Sequence, residues 1–327
     1  WIRGGIFLCL VLLLLSNLNR ILCVKSPHGV DQTRYLYVQP KNKIDVLFLG
    51  SSHVHCNVNT QLLWDEYGMA AYLMTGAEQP LWNSYYNLKE ALKTQKPKLV
   101  VLDMFCPSRF YDDFQPGWAD ENLDGMRISL NKLEAVYTSV QEEQSHFFLG
   151  FTEYHSRYDQ LTAEDFQNFV WNRKTQERWK GYTPLNRHAE LTEPDMSHVT
   201  TSQEMTEKSK EYFEKIVELT KKEGIALALI SGPYLLEERD QEVYNSIGQL
   251  AEKDGLLFWN TNTPAHYREM GLDFSTDYAD HAHLNEAGGA KYTAYLGKWL
   301  SQNYSFPDRR GQKGYESWEN QLMKSGE

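Results

Sequence analysis

Hydrophobic positions along the chain fall into two alternating kinds of pattern. Short apolar runs, Ile44-Asp45-Val46-Leu47-Phe48-Leu49 and Leu99-Val100-Val101-Leu102, are bounded by polar or turn-forming residues. Their length and β-branching predict strands buried on both faces. Residues 70–74, 225–230 and 256–259 predict three more. Between them, apolar residues recur at helical spacing, as Leu62, Leu63, Trp64 and Tyr67, then Leu81, Tyr85, Leu88 and Leu92, then Tyr212, Phe213, Ile216, Val217 and Leu219. Gly68, Pro97 and Gly224 punctuate the ends of these units. Further helices are predicted over 238–254 and 285–300. Strands alternating with helices describe a parallel sheet covered on two faces. The order fits an α/β, three-layer flavodoxin-like sandwich.

Residues 105–201 break that rhythm. Helical patterns over 130–144 and 163–175, together with Trp118, Trp171, Trp179, Tyr154, Tyr158, Tyr182 and His155, predict a helical insertion beside the active edge. Most of its aromatics form a small core of their own, and some face substrate.

At the N-terminus the unbroken apolar run 6–15 lies in a span, 4–24, interrupted only by Ser16, Asn17, Asn19 and Arg20. Such a span can cross a bilayer as a helix, with Arg20 snorkelling to the outer face. A cleaved signal peptide is the alternative. No small-x-small site follows the run, which favours an uncleaved single-pass anchor over 1–25, with Arg3 marking the inner side. The rest of the chain is then extracytoplasmic. Residues 26–42 read as a polar linker, 43–302 as the globular domain and 303–327 as a polar, loosely packed tail.

Composition narrows the function. The chain has 327 residues, 41% of them hydrophobic, enough for one large α/β domain. A formal charge of −11, with no clustered Lys and Arg, argues against nucleic acid as a partner. Nine Trp and 20 Tyr suit platforms for sugars or acyl groups, although core packing accounts for most of them. Cys9 and Cys23 fall in the anchor. Cys56 and Cys106 could form one bridge, but two buried free thiols is the favoured reading.

Two segments carry chemistry. Gly50-Ser51-Ser52-His53 directly follows the first strand, and Asp280-His281-Ala282-His283-Leu284-Asn285 precedes the last helix. A Gly-Ser-Ser corner can lift a hydroxyl to the carboxyl edge of the sheet, where open α/β folds keep their ligands. A serine hydroxyl is a poor nucleophile at neutral pH. It needs an imidazole to take its proton and a carboxylate to hold the imidazole tautomer, and one late loop could supply both. Alternatives stand beside this reading. Asp280 could cap the last helix, with Asp277 as the orienting carboxylate, and His281 could lie on the surface. His53-Val54-His55 alternates so that both rings could face one side, and with Asp280, His281 and His283 they could hold a metal.

On these residues the chain resembles the SGNH (GDSL-like) hydrolase superfamily over 43–301. The resemblance implies Ser52 as nucleophile, from the third position of Gly50-Ser51-Ser52, with Asp280 and His283 completing a triad. It also implies an oxyanion hole from the amides of Ser52 and Gly76, with Gln79, Asn83 or Arg109 in place of a missing Gly-x-Asn-Asp after the third strand. His53, Asn83 and Arg109 are the candidate substrate-binding residues, His53 at the pocket mouth. Ser51 departs from the usual Asp. Gly-Ser-Ser forms are similar to those of membrane-anchored members acting on cell-envelope polymers, including the alginate O-acetylation and teichoic-acid D-alanylation proteins. The expected function is therefore a serine esterase or O-acyltransferase for acyl esters of surface glycans, with no metal and no organic cofactor, and a membrane-bound O-acyltransferase as possible partner. A degenerate module that binds glycan or scaffolds such a partner is the rival expectation. A secreted esterase for small lipids is a third.

Overall fold

The computed structural model describes residues 1–22, 29–109, 114, 116–148, 154–167 and 179–319. Five parallel strands form one sheet: β1 (Val46–Gly50), β2 (Ala71–Thr75), β3 (Leu99–Asp103), β4 (Ala226–Ser231) and β5 (Leu257–Asn260). Their order is β2-β1-β3-β4-β5. The strand period of two sends alternate residues to opposite faces. Leu47, Leu49, Tyr72, Met74, Val100 and Leu102 enter one core, while Val46, Phe48, Ala71, Leu73, Leu99 and Val101 enter the other. Both cores are closed off from solvent because helices cover both faces. Leu81–Ala91, Glu207–Glu223 and Glu238–Asp254 pack on the first, Pro264–Met270 and Glu286–Asn303 on the second.

The order of the strands positions the site. The chain passes from β1 outward to β2 and then crosses back to β3, so β1 and β3 are neighbours whose following loops diverge. In open α/β sheets that divergence leaves a crevice at the carboxyl ends of the strands.

Two segments are better packed than their composition suggests. The stretch expected as a linker contains a helix, Val30–Leu36, with Val30 and Leu36 buried. Gln32 Oε1 accepts from the Thr75 amide at 2.9 Å, and Tyr72 donates its hydroxyl to the Gln32 carbonyl at 2.6 Å. The tail expected to be loose is also docked. Trp318 is wholly buried and donates its indole N–H to the Ala71 carbonyl at 3.0 Å. Arg309 holds Asp45 through two bonds of 2.7 and 2.9 Å. Lys180 donates to Gln39 and Ser317 with its ammonium 4.0 Å from the Trp318 ring, and its carbonyl takes the Leu73 amide. Both segments therefore cover β2, the outer strand, whose free edge would otherwise invite pairing with another chain.

The insertion contains the helices Leu130–Ser139 and Ala163–Gln167, with Tyr154 buried and Trp118 and Tyr158 exposed. Trp171, Cys23 and the ends of the predicted anchor, insertion helix and tail lie outside the described residues. The insertion's last part belongs to the main domain: Tyr182 joins the second core, and the Ala189 amide donates to Tyr278 at 2.8 Å. Cys56 and Cys106 are buried free thiols. The N-terminal helix, Ile2–Leu22, includes an 18-residue stretch of mean hydropathy 1.8, none of it buried, long and apolar enough to cross a membrane by length and composition.

Candidate active site

The site is built outward from Gly50, the last residue of β1. Its φ of 149° disfavours any side chain, and a Cβ there would overlap Asp103 at the end of β3. Only glycine lets the two strand ends approach so closely. Ser51 then caps the short helix Ser52–His55, its Oγ accepting the His53 amide at 3.3 Å. Ser52 is the first residue of that turn, and its own N–H finds no partner among the described residues.

The second half of the site is a loop pinned beneath the first. Leu284 is buried, its amide donates to Asn57 Oδ1 at 3.0 Å, and the Ala279 amide donates to the His283 carbonyl at 2.9 Å. Asn57 lies just past the turn that carries Ser52, so this contact sets the distance between the two halves. His283 Nε2 stands 2.7 Å from Ser52 Oγ, and His283 Nδ1 stands 2.8 Å from Asp280 Oδ1. Asp280 Oδ1 also accepts the amides of Ala282 at 2.9 Å and His283 at 3.0 Å, while Oδ2 takes Arg187 at 2.9 Å. Partial burial pushes the Asp280 carboxyl up. The His283 hydrogen bond and charge, the Ala282 amide and Arg187 outweigh that and hold it well below the usual carboxylate range. A charged Asp280 fixes the proton on Nδ1, which leaves Nε2 free to accept the Ser52 proton.

Several expectations are corrected by the geometry. Asp280 does not cap the last helix, because Asn285 does so by accepting the Gly288 amide at 3.1 Å. Asp277 is buried and bonded to Lys291 at 2.6 Å, leaving Asp280 to orient the imidazole; His281 is exposed. His53 and His55 do not face one side. The segment is a helical turn, not a strand, so residues two apart point in different directions. His55 Nδ1 meets Thr75 Oγ1 at 3.2 Å, whereas His53 stacks on Phe105 at 3.5 Å between ring centres. The metal reading loses its geometry with that divergence. Nor is His53 at a pocket mouth. It is buried, edge-on to Tyr234 and 5.5 Å from the His283 ring, and neither ring nitrogen has a partner among the described residues. Burial first, then the charge of His283, lowers its pKa well below the ordinary value and keeps it neutral.

The oxyanion candidates fare differently. The Gly76 amide, beyond the end of β2, continues the ladder by donating to the Gly50 carbonyl at 3.3 Å. Gln79 donates to Ser84 at 3.0 Å and accepts from Asn87 at 2.8 Å. Asn83 accepts from Ser139, and Arg109 pairs with Glu237 at 3.0 Å and Asp240 at 3.2 Å. Among the candidate backbone amides, that of Ser52 shows no competing bond among the described residues, and the bond at Asn83 engages its Oδ1 rather than its donor. The sequence reading missed three residues at the site: Asn57, Arg187 and Asp103. None sits in a motif. The only available signal was the strand-end position of Asp103.

Fold and site together define an α/β protein with a Ser-His-Asp hydrogen-bonded chain at the carboxyl edge of a parallel sheet. Neither a protein-family profile nor a curated protein matches the chain. Among solved structures, a Bacteroides fragilis protein assigned as an acylhydrolase is 13% identical, the match covering 84% of this chain and 94% of that one at a TM-score of 0.41. Two variants of an acetylxylan esterase from Geobacillus stearothermophilus are 12% and 11% identical, covering 82% of this chain and 97% of theirs at TM-scores of 0.40 and 0.39. These likenesses are too distant to carry chemistry, which rests on this chain's own geometry.

Proposed function

We propose that the chain is a serine-dependent ester hydrolase or O-acyltransferase. The supporting observation is the unbroken path of 2.7 and 2.8 Å bonds from Ser52 through His283 to Asp280. Ser52 Oγ attacks the ester carbonyl carbon while His283 Nε2 takes its proton, and the oxyanion that forms faces the Ser52 amide. As the tetrahedral species collapses, the C–O bond to the leaving alcohol breaks and His283 returns the proton to that alcohol. Water or a sugar hydroxyl then attacks the acyl-Ser52, with His283 again as base. Asp280 stays ionised throughout and stabilises the imidazolium.

The finer reading joins this chemistry to the apolar N-terminal helix and to the resemblance carried by Gly50-Ser51-Ser52. The enzyme is held at a membrane by that helix, its domain is extracytoplasmic, and it transfers or removes small O-acyl groups on surface glycans. A membrane-bound O-acyltransferase is the partner that would supply or receive the acyl group.

A second reading, a non-catalytic glycan-binding or scaffolding module, is favoured by one observation: the Gly76 amide and the Gln79 side chain are already engaged. Losing one oxyanion donor costs about 10²- to 10³-fold in turnover. Turnover of 4-nitrophenyl acetate by the full chain in detergent separates the two. The enzyme reading expects at least about a 10³-fold drop in Ser52→Ala. Equal rates for wild type and variant would leave the scaffold.

A further inference from the structure

Beneath the nucleophile turn lies a carboxylate that the proposed reaction does not use. Asp103 ends β3, is buried, and points both its oxygens at backbone and hydroxyl donors from two different turns. Oδ2 accepts the Ser51 hydroxyl at 2.9 Å and the Ser51 amide at 3.4 Å, while Oδ1 accepts the Phe105 amide at 3.3 Å. The first pair holds the turn after β1, which presents Ser52. The last holds the turn after β3, whose Phe105 ring carries His53. Gly50 is bare so that this carboxylate can come near.

We propose that Asp103 is a positioning residue for Ser52: its ionised carboxylate ties the turn after β1 to the turn after β3, and activity falls when it takes up a proton. The inference rests on Ser52 being the nucleophile. An ionised carboxylate accepts with both oxygens, whereas its protonated form must turn one oxygen into a donor. Two of the three donors are backbone amides that cannot reverse, and the third is a hydroxyl. A proton at Asp103 therefore turns the Ser51 hydroxyl round or sets donor against donor. Either way it replaces charge-assisted bonds with weaker neutral ones, which loosens the tie between the two turns.

The surroundings make that proton accessible in a useful pH range. Ser51 and Phe105 face Asp103 from the two turns, the Cys106 thiol stands next to it, and the Tyr292 phenol acts on it from the last helix. Cys106 and Tyr292 are themselves pushed up by burial first and by the Asp103 charge second, so both stay neutral. Among the described residues no Lys, Arg or His pairs with Asp103. Burial pushes the carboxyl up to about 6, against the opposing pull of the Ser51 and Phe105 bonds. Ser51 stands where the family the chain resembles has Asp. A hydroxyl there can donate to Asp103, which a second carboxylate could not do without mutual repulsion.

The test is the rate at which a fluorophosphonate probe labels Ser52 between pH 5 and 9, in wild type, Asp103→Asn and Ser51→Ala full-length protein. The amide of Asp103→Asn mimics the protonated acid, and pH effects common to both proteins cancel in their ratio. Wild type should label about tenfold faster than Asp103→Asn at pH 8, with the ratio falling towards one at pH 5. Ser51→Ala removes a donor that favours the charged form, so its acid limb should move up by about one pH unit. Ser51→Ala also serves if Asp103→Asn does not fold. A ratio that is constant across pH, or a Ser51→Ala limb that stays in place, overturns the role of Asp103 while leaving Ser52 as nucleophile. Absence of labelling of wild type at every pH overturns both.

Discussion

Two carboxylates stand at the same end of the same sheet and live in opposite surroundings. Asp280 sits on a partly open loop, with two amides, an imidazole and an arginine around it. Asp103 is buried under the turn that carries Ser52, with three donors and no cation paired to it among the described residues. The first is held charged well below the usual carboxylate range. The second can change state near neutrality. Full burial without a cation makes one of two identical groups a titrating one, and charged partners at a partly open site make the other a fixed charge.

Their contributions to stability therefore run in opposite directions with pH. Asp280 has a folded value below its unfolded value of about 3.9. Its stabilisation is present above the unfolded value and is lost as pH falls through the folded one. Asp103 has a folded value raised to about 6. It favours the folded state most at low pH, and that advantage disappears as pH rises from the unfolded value to about 6.

The strongest way to break the comparison is to remove the base that both turns serve. His283→Ala should reduce ester turnover by about 10³-fold or more with thermal stability little changed; a small loss of turnover would detach the loop from the chemistry. Next, Asp280→Asn should cost about 10²- to 10⁴-fold, because the imidazole loses its tautomer. Thermal melts of Asp280→Asn should show a deficit against wild type at pH 7 that stays level down to about pH 4 and narrows only below it, where the unfolded carboxylate takes up its proton. In Asp103→Asn the trend is reversed: its melting temperature relative to wild type should rise between pH 4 and pH 8. Parallel curves for the two variants would erase the distinction drawn above. The smallest effect is expected of Arg187→Ala. Its side chain is 67% exposed, so the pair with Asp280 is screened by solvent. A loss of about two- to threefold at low salt, vanishing at high salt, is expected from steady-state rates.

How much of this was legible in the chain depended on whether a residue belonged to a pattern. The sheet was readable because buried parallel strands are unbroken apolar runs, and the runs at Val46 and Leu99 have no other plausible use. The meeting of Ser52, Asp280 and His283 was foreseeable because a small-residue corner and a closely spaced Asp and His are each local signals. Their roles in catalysis still await the experiments above. The alternation of His53 and His55 offered a metal site only as an alternative, which the helical turn undoes, and His53, expected at the pocket mouth, is buried instead. Val30–Leu36 and Trp318 escaped because single anchors, a glutamine on a strand end or an indole on a carbonyl, leave no period. Arg187 depends on which segments the fold brings together, and of Asp103 only its place at a strand end could be read from the chain.

The central claim is that His283 activates Ser52, and the most direct measurement is fluorophosphonate labelling of the full chain, mapped by peptide mass spectrometry. The account expects one adduct, on Ser52, formed rapidly by wild type and at least about a hundredfold more slowly by His283→Ala. No Ser52 adduct, under conditions in which a control hydrolase labels to completion, or equal labelling without His283, would contradict it.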